Sequence, residues 1–183
     1  MKRIGLLLPI CLSLVFTAAF AINAQQKTDA PSEQVFIKLK GVDGKVYDIA
    51  EMRGQVLLIS FGATWCAPCY EELRALVELK QEYKGKPVNF VWVSMDTKQQ
   101  TSDAYLRSFA KSLKINFPVL RDPTGLTYAQ FSPQRRMPLV IFFDTQGNVA
   151  APVHFGMSDT ETYKTKMRGI IDKLLAAQTN GDE

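Results

Sequence analysis

The chain has 183 residues, of which 46% are hydrophobic and 22% are charged, and its net charge is +4. This length allows one ordinary domain with a real core, but it does not comfortably hold two. The charge is small and forms no long basic run, which argues against a nucleic-acid-binding protein, so we expect no nucleic-acid partner.

The first 24 residues are typical of a secretory signal peptide. Two basic residues precede an almost wholly apolar run at 4–20, and small residues follow, so that cleavage is expected after Ala24 or Ala21. An apolar run of about 17 residues is at the lower limit for spanning a bilayer, so an uncleaved membrane anchor is the alternative. The protein would touch a membrane only through this leader. Both alternatives place the mature protein in the periplasm or cell envelope.

Residues 25–33 are polar and predict a flexible lead-in to a single domain at 34–179. At 35–40 and again at 45–49 apolar and polar residues alternate, and the sequence GVDG lies between them. This pattern predicts a β-hairpin. The continuous apolar run at 56–61 that follows is typical of a buried central strand.

Helix and strand signals alternate along the rest of the domain. We predict a helix from Cys66 to Tyr83, strands at 88–95 and 139–144, a last strand ending at Phe155, and helices at Thr101–Lys114 (with Tyr105, Leu106, Phe109 and Leu113 inward) and Asp159–Ala177. The order is a hairpin, βαβα and then ββα, and it implies both parallel and antiparallel strands. The predicted fold is therefore α/β, with a mixed central sheet flanked by helices on both faces and an N-terminal β-hairpin.

Two cysteines, Cys66 and Cys69, lie where the first buried strand meets the following helix. Cys11 would leave with the signal peptide, and the remaining pair could form a disulfide in an oxidising compartment. A loop of two residues removes little entropy from the unfolded chain, so a structural staple explains the pair poorly. A helix N-terminus favours a thiolate, the nucleophile of disulfide exchange. We therefore expect Cys66 to attack and Cys69 to resolve the mixed disulfide.

A metal site is the main alternative for such a pair. A zinc site needs about four ligands, whereas this chain offers one CxxC and a single histidine, His154, far away in sequence. We therefore expect neither a metal nor another cofactor.

Several motifs resemble a known family. The sequence FGATWCAPC after an apolar strand, in this order of elements, resembles the thioredoxin fold. The preceding hairpin, the export signal, FPVLRDPTG and MPLVIFFDTQGNV resemble more specifically the TlpA/ResA-type thiol–disulfide reductases of bacterial envelopes. The resemblance covers 35–177, and W-C-x-P-C in this context is a far more specific signal than a bare CxxC.

The resemblance implies further site residues. Pro138 would be a cis-proline facing the dithiol, which leaves the backbone of Met137 free to pair with an extended substrate. Glu72 would tune proton transfer at the cysteines, and Trp65 would form part of the docking surface. The alternatives are an ordinary proline that opens a strand, a solvated glutamate in the first turns of a helix, and a tryptophan that only packs.

The chain also departs from its relatives at named positions. Thioredoxins carry a buried aspartate where this chain has Ser60, and the lysine partner of that aspartate is replaced by Trp92. Arg74 stands where a proline often kinks the helix, and Leu139 replaces a common threonine. These changes bear on the redox potential and on substrate choice, and they leave the dithiol chemistry intact.

The resemblance implies an exported thiol–disulfide oxidoreductase that reduces protein disulfides, most commonly in cytochrome c maturation, and that a membrane thiol electron donor recharges. Ala67 and Pro68 lack the histidine of strong oxidants, which favours the reducing direction. An oxidase or isomerase is one alternative. A copper-chaperone-like carrier would have three residues between its cysteines. A thiol peroxidase would have threonine or serine where this chain has Ala63.

Overall fold

The computed structural model describes residues 35–179. The predicted signal peptide at 1–24 and the lead-in at 25–33 lie outside the described residues, so both stay predictions. Within the described part, no helix is long and apolar enough to cross a membrane.

Residues 35–179 form seven β-strands, three α-helices and two short 3-10 helices. In chain order these are β1 (Lys38–Gly41), β2 (Val46–Asp48), a 3-10 helix (Ile49–Met52), β3 (Val56–Gly62), α1 (Ala67–Glu82), β4 (Val88–Ser94), α2 (Asp103–Ser112), β5 (Val119–Arg121), a 3-10 helix (Tyr128–Gln130), β6 (Leu139–Phe143), β7 (His154–Phe155) and α3 (Thr160–Thr179). The predicted hairpin, helices and long strands are all present. Strand β5 is absent from the prediction, because three residues are too few to show a period.

The strands form one mixed sheet in the order β2-β1-β5-β4-β3-β6-β7. Strand β4 is parallel to both β3 and β5, while β6 is antiparallel to β3 and the hairpin is antiparallel throughout. Strand β3 lies between β4 and β6, and all seven of its residues are buried. The loop that follows its carboxyl end, at Gly62, therefore lies near the middle of the sheet, at the end where β3 and β4 both terminate.

The three α-helices share one face of the sheet. Side chains of α1, α2 and α3 pack with Val56 and Leu58 of β3, whereas Leu57 and Ile59 point to the opposite face. That second face is covered by the two 3-10 helices and the segment before β1. The prediction of helices on both faces thus holds only with α-helices on one side and 3-10 helices on the other. Two right-handed crossovers running in the same direction, β3 to β4 to β5, place α1 and α2 together.

The structure of helix α2 corrects the prediction for one residue on its apolar face, Tyr105. Ser102 caps its first turn by accepting a hydrogen bond from the backbone N–H of Tyr105. Leu106 and Ala110 are buried, but Tyr105 is 54% exposed, so the prediction that it faces the core was wrong. Tyr105 precedes Leu106 by one position, which turns it by about 100° around the helix axis.

Candidate active site

The two cysteines lie together at the carboxyl end of β3. Cys66 is the N-cap of α1 and Cys69 lies in its first turn, and the two form a disulfide with their Cα atoms 5.2 Å apart. Pro68 lies in the first turn of α1, where its missing N–H costs no helical hydrogen bond. Cys66 is 8% exposed and Cys69 is completely buried. Only Cys66 therefore presents any surface to an incoming thiol or disulfide.

A buried carboxylate fixes the loop that carries Cys66. The backbone N–H and the hydroxyl of Thr64 donate to the carboxylate of Asp96, at 3.0 Å and 2.8 Å, and the hydroxyl of Ser94 donates to it at 2.7 Å. Sequence reasoning missed Asp96. Its signal was an acidic residue two positions after the end of a buried strand, at the same sheet edge as the cysteines.

Two of the residues predicted to bind substrate, Trp65 and Met137, lie near the disulfide. Trp65, the residue before Cys66, is 62% exposed. The bond between Met137 and Pro138 is cis, and the Met137 side chain packs against the cluster formed by Ala63, Cys66 and Cys69. The backbone of Met137 makes no hydrogen bond within residues 35–179, whereas the carbonyl of Pro138 accepts one from Gly156. A free stretch of backbone thus lies beside the accessible cysteine.

Glu72 lies one turn beyond Cys69 on the same helix and is completely buried. The hydroxyl of Ser60 on β3 donates to its Oε2 at 2.6 Å, and the hydroxyl of Tyr163 on α3 donates to its Oε1 at 2.8 Å. The alternative of a solvated glutamate is therefore wrong for this position. Three separate elements, β3, α1 and α3, meet at this carboxyl group.

Burial raises the pKa of Glu72 to about 7, and the hydrogen bonds from Ser60 and Tyr163 limit the rise. At neutral pH the group populates both protonation states, which is the condition for taking up and returning a proton. Burial and the adjacent carboxylate raise the pKa of Tyr163 well above its usual value. Tyr163 therefore stays protonated and keeps donating to Glu72.

Sequence reasoning treated Ser60 only as a missing aspartate, and it gave Tyr163 no part in the site. The signals were present. Ser60 is a polar residue inside an otherwise apolar strand, and the hydroxyl of a buried tyrosine needs a partner. Their joint role could not be found, because the three residues become neighbours only through the fold.

Gly62 leaves room for two side chains, those of Trp92 and Cys69, beside β3. A Cβ atom on Gly62 would lie 3.0 Å from Nε1 of Trp92, 3.1 Å from Cβ of Cys69 and 3.2 Å from its Sγ. Trp92 is completely buried on β4, and its ring lies 5.7 Å from that of Phe109. A side chain at position 62 would therefore have to displace the core or the cysteine.

We expect Gly62→Ala to lower the free energy of unfolding by about 1–3 kcal/mol, because inserting a methyl group into a filled core strains its neighbours. Urea denaturation of the purified domain measures this effect. Gly169→Ala is the matched control, since a Cβ at Gly169, on the exposed side of α3, meets no atom within 4 Å. Equal stability of the two variants would contradict the close packing around Gly62.

His154 makes its side-chain contacts with residues of α3 and not with the predicted catalytic residues. Its ring packs on Tyr163, with the centroids 5.8 Å apart, and its Nδ1 lies 2.9 Å from Nζ of Lys166. Burial and the charge of Lys166 lower the pKa of His154, and Nδ1 accepts from the lysine, whose ammonium group can only donate. Among residues 35–179, no three His, Cys, Asp or Glu side chains are grouped so as to hold a metal ion.

Comparison with known proteins identifies this arrangement. Residues 29–152 match the AhpC/TSA family. The chain belongs to this family. This AhpC/TSA protein is 31% identical to the thiol-disulfide oxidoreductase ResA of Oceanobacillus iheyensis over 125 residues, which are 63% of each chain. It is 28% identical to the thioredoxin-like protein YneN of Bacillus subtilis over 150 residues, or 80% of this chain and 81% of YneN.

Solved structures support the same identification. A proposed thiol:disulfide interchange protein DsbE from Chlorobium tepidum superposes with a TM-score of 0.66 at 25% identity, covering 78% of this chain and 94% of the other. The thioredoxin-like fold and the TlpA/ResA-type resemblance are confirmed. The AhpC/TSA protein is thus a thiol–disulfide oxidoreductase of the ResA/DsbE type with a CxxC pair.

Proposed function

We propose that the protein is exported and reduces disulfides of proteins in the cell envelope, in the manner of a cytochrome c maturation reductase. A membrane thiol electron donor recharges it. The observation that carries the proposal is the order of exposure, because Cys66 reaches the surface beside Trp65 and Met137 while Cys69 lies beneath it. The leader-like sequence at 1–24 supports export.

The reaction begins on the reduced protein. The thiolate of Cys66 attacks one sulfur of the substrate disulfide, and the other substrate sulfur leaves and takes up a proton. Cys69 then gives its proton to Glu72 and attacks the Cys66 sulfur of the mixed disulfide. This step forms the Cys66–Cys69 disulfide and releases the second substrate thiol, which takes up the proton. Two electrons have passed from the enzyme to the substrate.

The surroundings of Cys66 account for binding of the substrate chain. An extended substrate segment pairs with the free backbone of Met137, as an added strand pairs with a sheet edge. Pro138 keeps its carbonyl engaged with Gly156 and so anchors that loop to β7. Trp65 supplies exposed aromatic surface beside the reacting sulfur.

The reduction potential tests the direction of the reaction. We expect equilibration with glutathione at pH 7 to give a potential below about −200 mV, closer to thioredoxin than to strong oxidants. The sequence between the cysteines, Ala67 and Pro68, contains no histidine to stabilise the thiolate further. A potential above about −150 mV would instead make the protein an oxidase or isomerase.

A further inference from the structure

The indole nitrogen of Trp92 is a buried donor without an acceptor. The side chain is completely buried, and Nε1 has no hydrogen-bond partner among the described residues. A buried N–H that stays unpaired costs free energy, so native structures rarely keep one without a reason. Neither carboxylate oxygen of Glu72 accepts from it, although each accepts from another residue, Ser60 or Tyr163.

This donor lies close to the buried sulfur of the active site. The position that a Cβ atom on Gly62 would occupy is 3.0 Å from Nε1 of Trp92 and 3.2 Å from Sγ of Cys69. Gly62 contributes no side-chain atom to that space. The indole nitrogen and the sulfur therefore border one small region behind the disulfide, which is where a hydrogen bond between them would form.

Reduction changes what the sulfur can accept. In the disulfide, Sγ of Cys69 is bonded to Sγ of Cys66 and is a weak acceptor. When a dithiol donor supplies two electrons, that bond breaks and each sulfur becomes a thiol or a thiolate, while the donor becomes a disulfide. A thiolate is a much stronger acceptor, because hydrogen bonds to charged groups are shorter and stronger.

We propose that the indole N–H of Trp92 donates a hydrogen bond to Cys69 in the reduced protein and thereby stabilises the reduced state. The inference rests on the proposed function, in which Cys69 is the resolving cysteine. Different groups then stabilise the reduced sulfur atoms of the two cysteines. The N-terminus of α1 favours the thiolate of Cys66. Trp92 donates to the more deeply buried sulfur of Cys69, both as the thiol and, more strongly, as the thiolate that remains once its proton has passed to Glu72.

Nuclear magnetic resonance tests the hydrogen bond in the unaltered protein. The chain has two tryptophans, so two indole N–H signals are expected, and Trp65→Phe assigns them. On reduction we expect the Trp92 indole proton to move downfield and to exchange more slowly with water. The Trp65 signal, from a 62% exposed side chain, reports any general change. A Trp92 signal that stays in place while the cysteine signals report full reduction would overturn the proposal.

The redox equilibrium supplies a second, independent readout. We expect Trp92→Phe, which keeps an aromatic ring but removes the N–H, to lower the ratio of reduced to oxidised protein about tenfold at a fixed glutathione ratio. This corresponds to a reduction potential about 30 mV more negative. Phe109→Leu is the packing control, because it perturbs the same aromatic contact and keeps the donor. Equal shifts in both variants, or none in Trp92→Phe, would overturn the proposal.

These measurements separate the inference from the proposed function. The indole signal and the effect of Trp92→Phe depend only on the Cys66–Cys69 couple, whatever the direction of catalysis. A potential in the oxidant range would overturn the reducing function while leaving a Trp92 effect intact. A reducing potential, combined with no change in the Trp92 indole signal on reduction and no effect of Trp92→Phe, would overturn the inference alone.

Discussion

Cys66→Ser is expected to abolish disulfide reduction, whereas Cys69→Ser is expected to stop the enzyme as a mixed disulfide with its substrate. Cys66 is the exposed member of the pair and the N-cap of α1, so only its sulfur can meet a protein substrate. Cys69 is completely buried and can act only on a disulfide that Cys66 has already formed. Without it, the first exchange occurs and the second does not.

Insulin reduction measures the first effect, and non-reducing gel electrophoresis of envelope extracts measures the second. We expect Cys69→Ser to capture proteins that carry C-x-x-C-H haem-attachment motifs, if the substrates are c-type cytochromes. The double variant Cys66→Ser/Cys69→Ser is the control and should capture nothing. A Cys69→Ser protein that turns over at the wild-type rate would contradict the two-step exchange.

Glu72→Gln is expected to lower the rate of disulfide reduction at pH 7 by about 100-fold, the usual scale for losing a general acid–base group. Glutamine retains the shape of the side chain but cannot take the proton of Cys69. The wild-type rate should show a pH-dependent step near 7, which burial of this carboxyl group places there. The step should be missing in the variant.

The same substitution is expected to act in the opposite direction on stability. Because the pKa of Glu72 rises from 4.5 to about 7 on folding, its contribution is fully present below pH 4.5 and is lost as the pH rises through 7. Above that pH the buried charge costs about 3 kcal/mol, so Glu72→Gln should be more stable than the wild type at pH 8. Urea denaturation at pH 5 and pH 8 measures the difference.

Glu71→Gln is the matched control for both measurements. It removes the same charge one position earlier on α1, where the side chain is exposed. We expect it to leave the pH profile of the rate and the pH dependence of stability unchanged. If Glu71→Gln and Glu72→Gln behave alike, burial of the carboxyl group is not the cause.

Regular burial patterns made most of the fold predictable. The apolar runs of β3, β4 and β6 and the helical face that begins at Cys66 each constrain many consecutive residues, so their type and place follow from the sequence. The short strand β5 lacks such a run. Tyr105 was misplaced because the helical pattern treats every aromatic ring as apolar, whereas this ring is exposed to water.

The cysteines and the cis-proline were predictable because local motifs carry them. The groups that control the cysteines were not, because their partners come from distant parts of the chain. Ser60 lies 12 residues before Glu72 and Tyr163 lies 91 residues after it. Trp92 meets Gly62 and Cys69 only through the pairing of β3 with β4.

The separation of Tyr163 from Glu72 has a consequence for how the enzyme is made. A ribosome synthesises the chain from its N-terminus, so both sulfur atoms exist before the hydroxyl that holds the carboxyl group behind them. A nascent polypeptide that ends before α3 therefore carries Cys66, Cys69 and Glu72 without the hydroxyl that donates to Glu72. The hydrogen-bonded setting of Glu72 is therefore complete only once α3 has packed against α1.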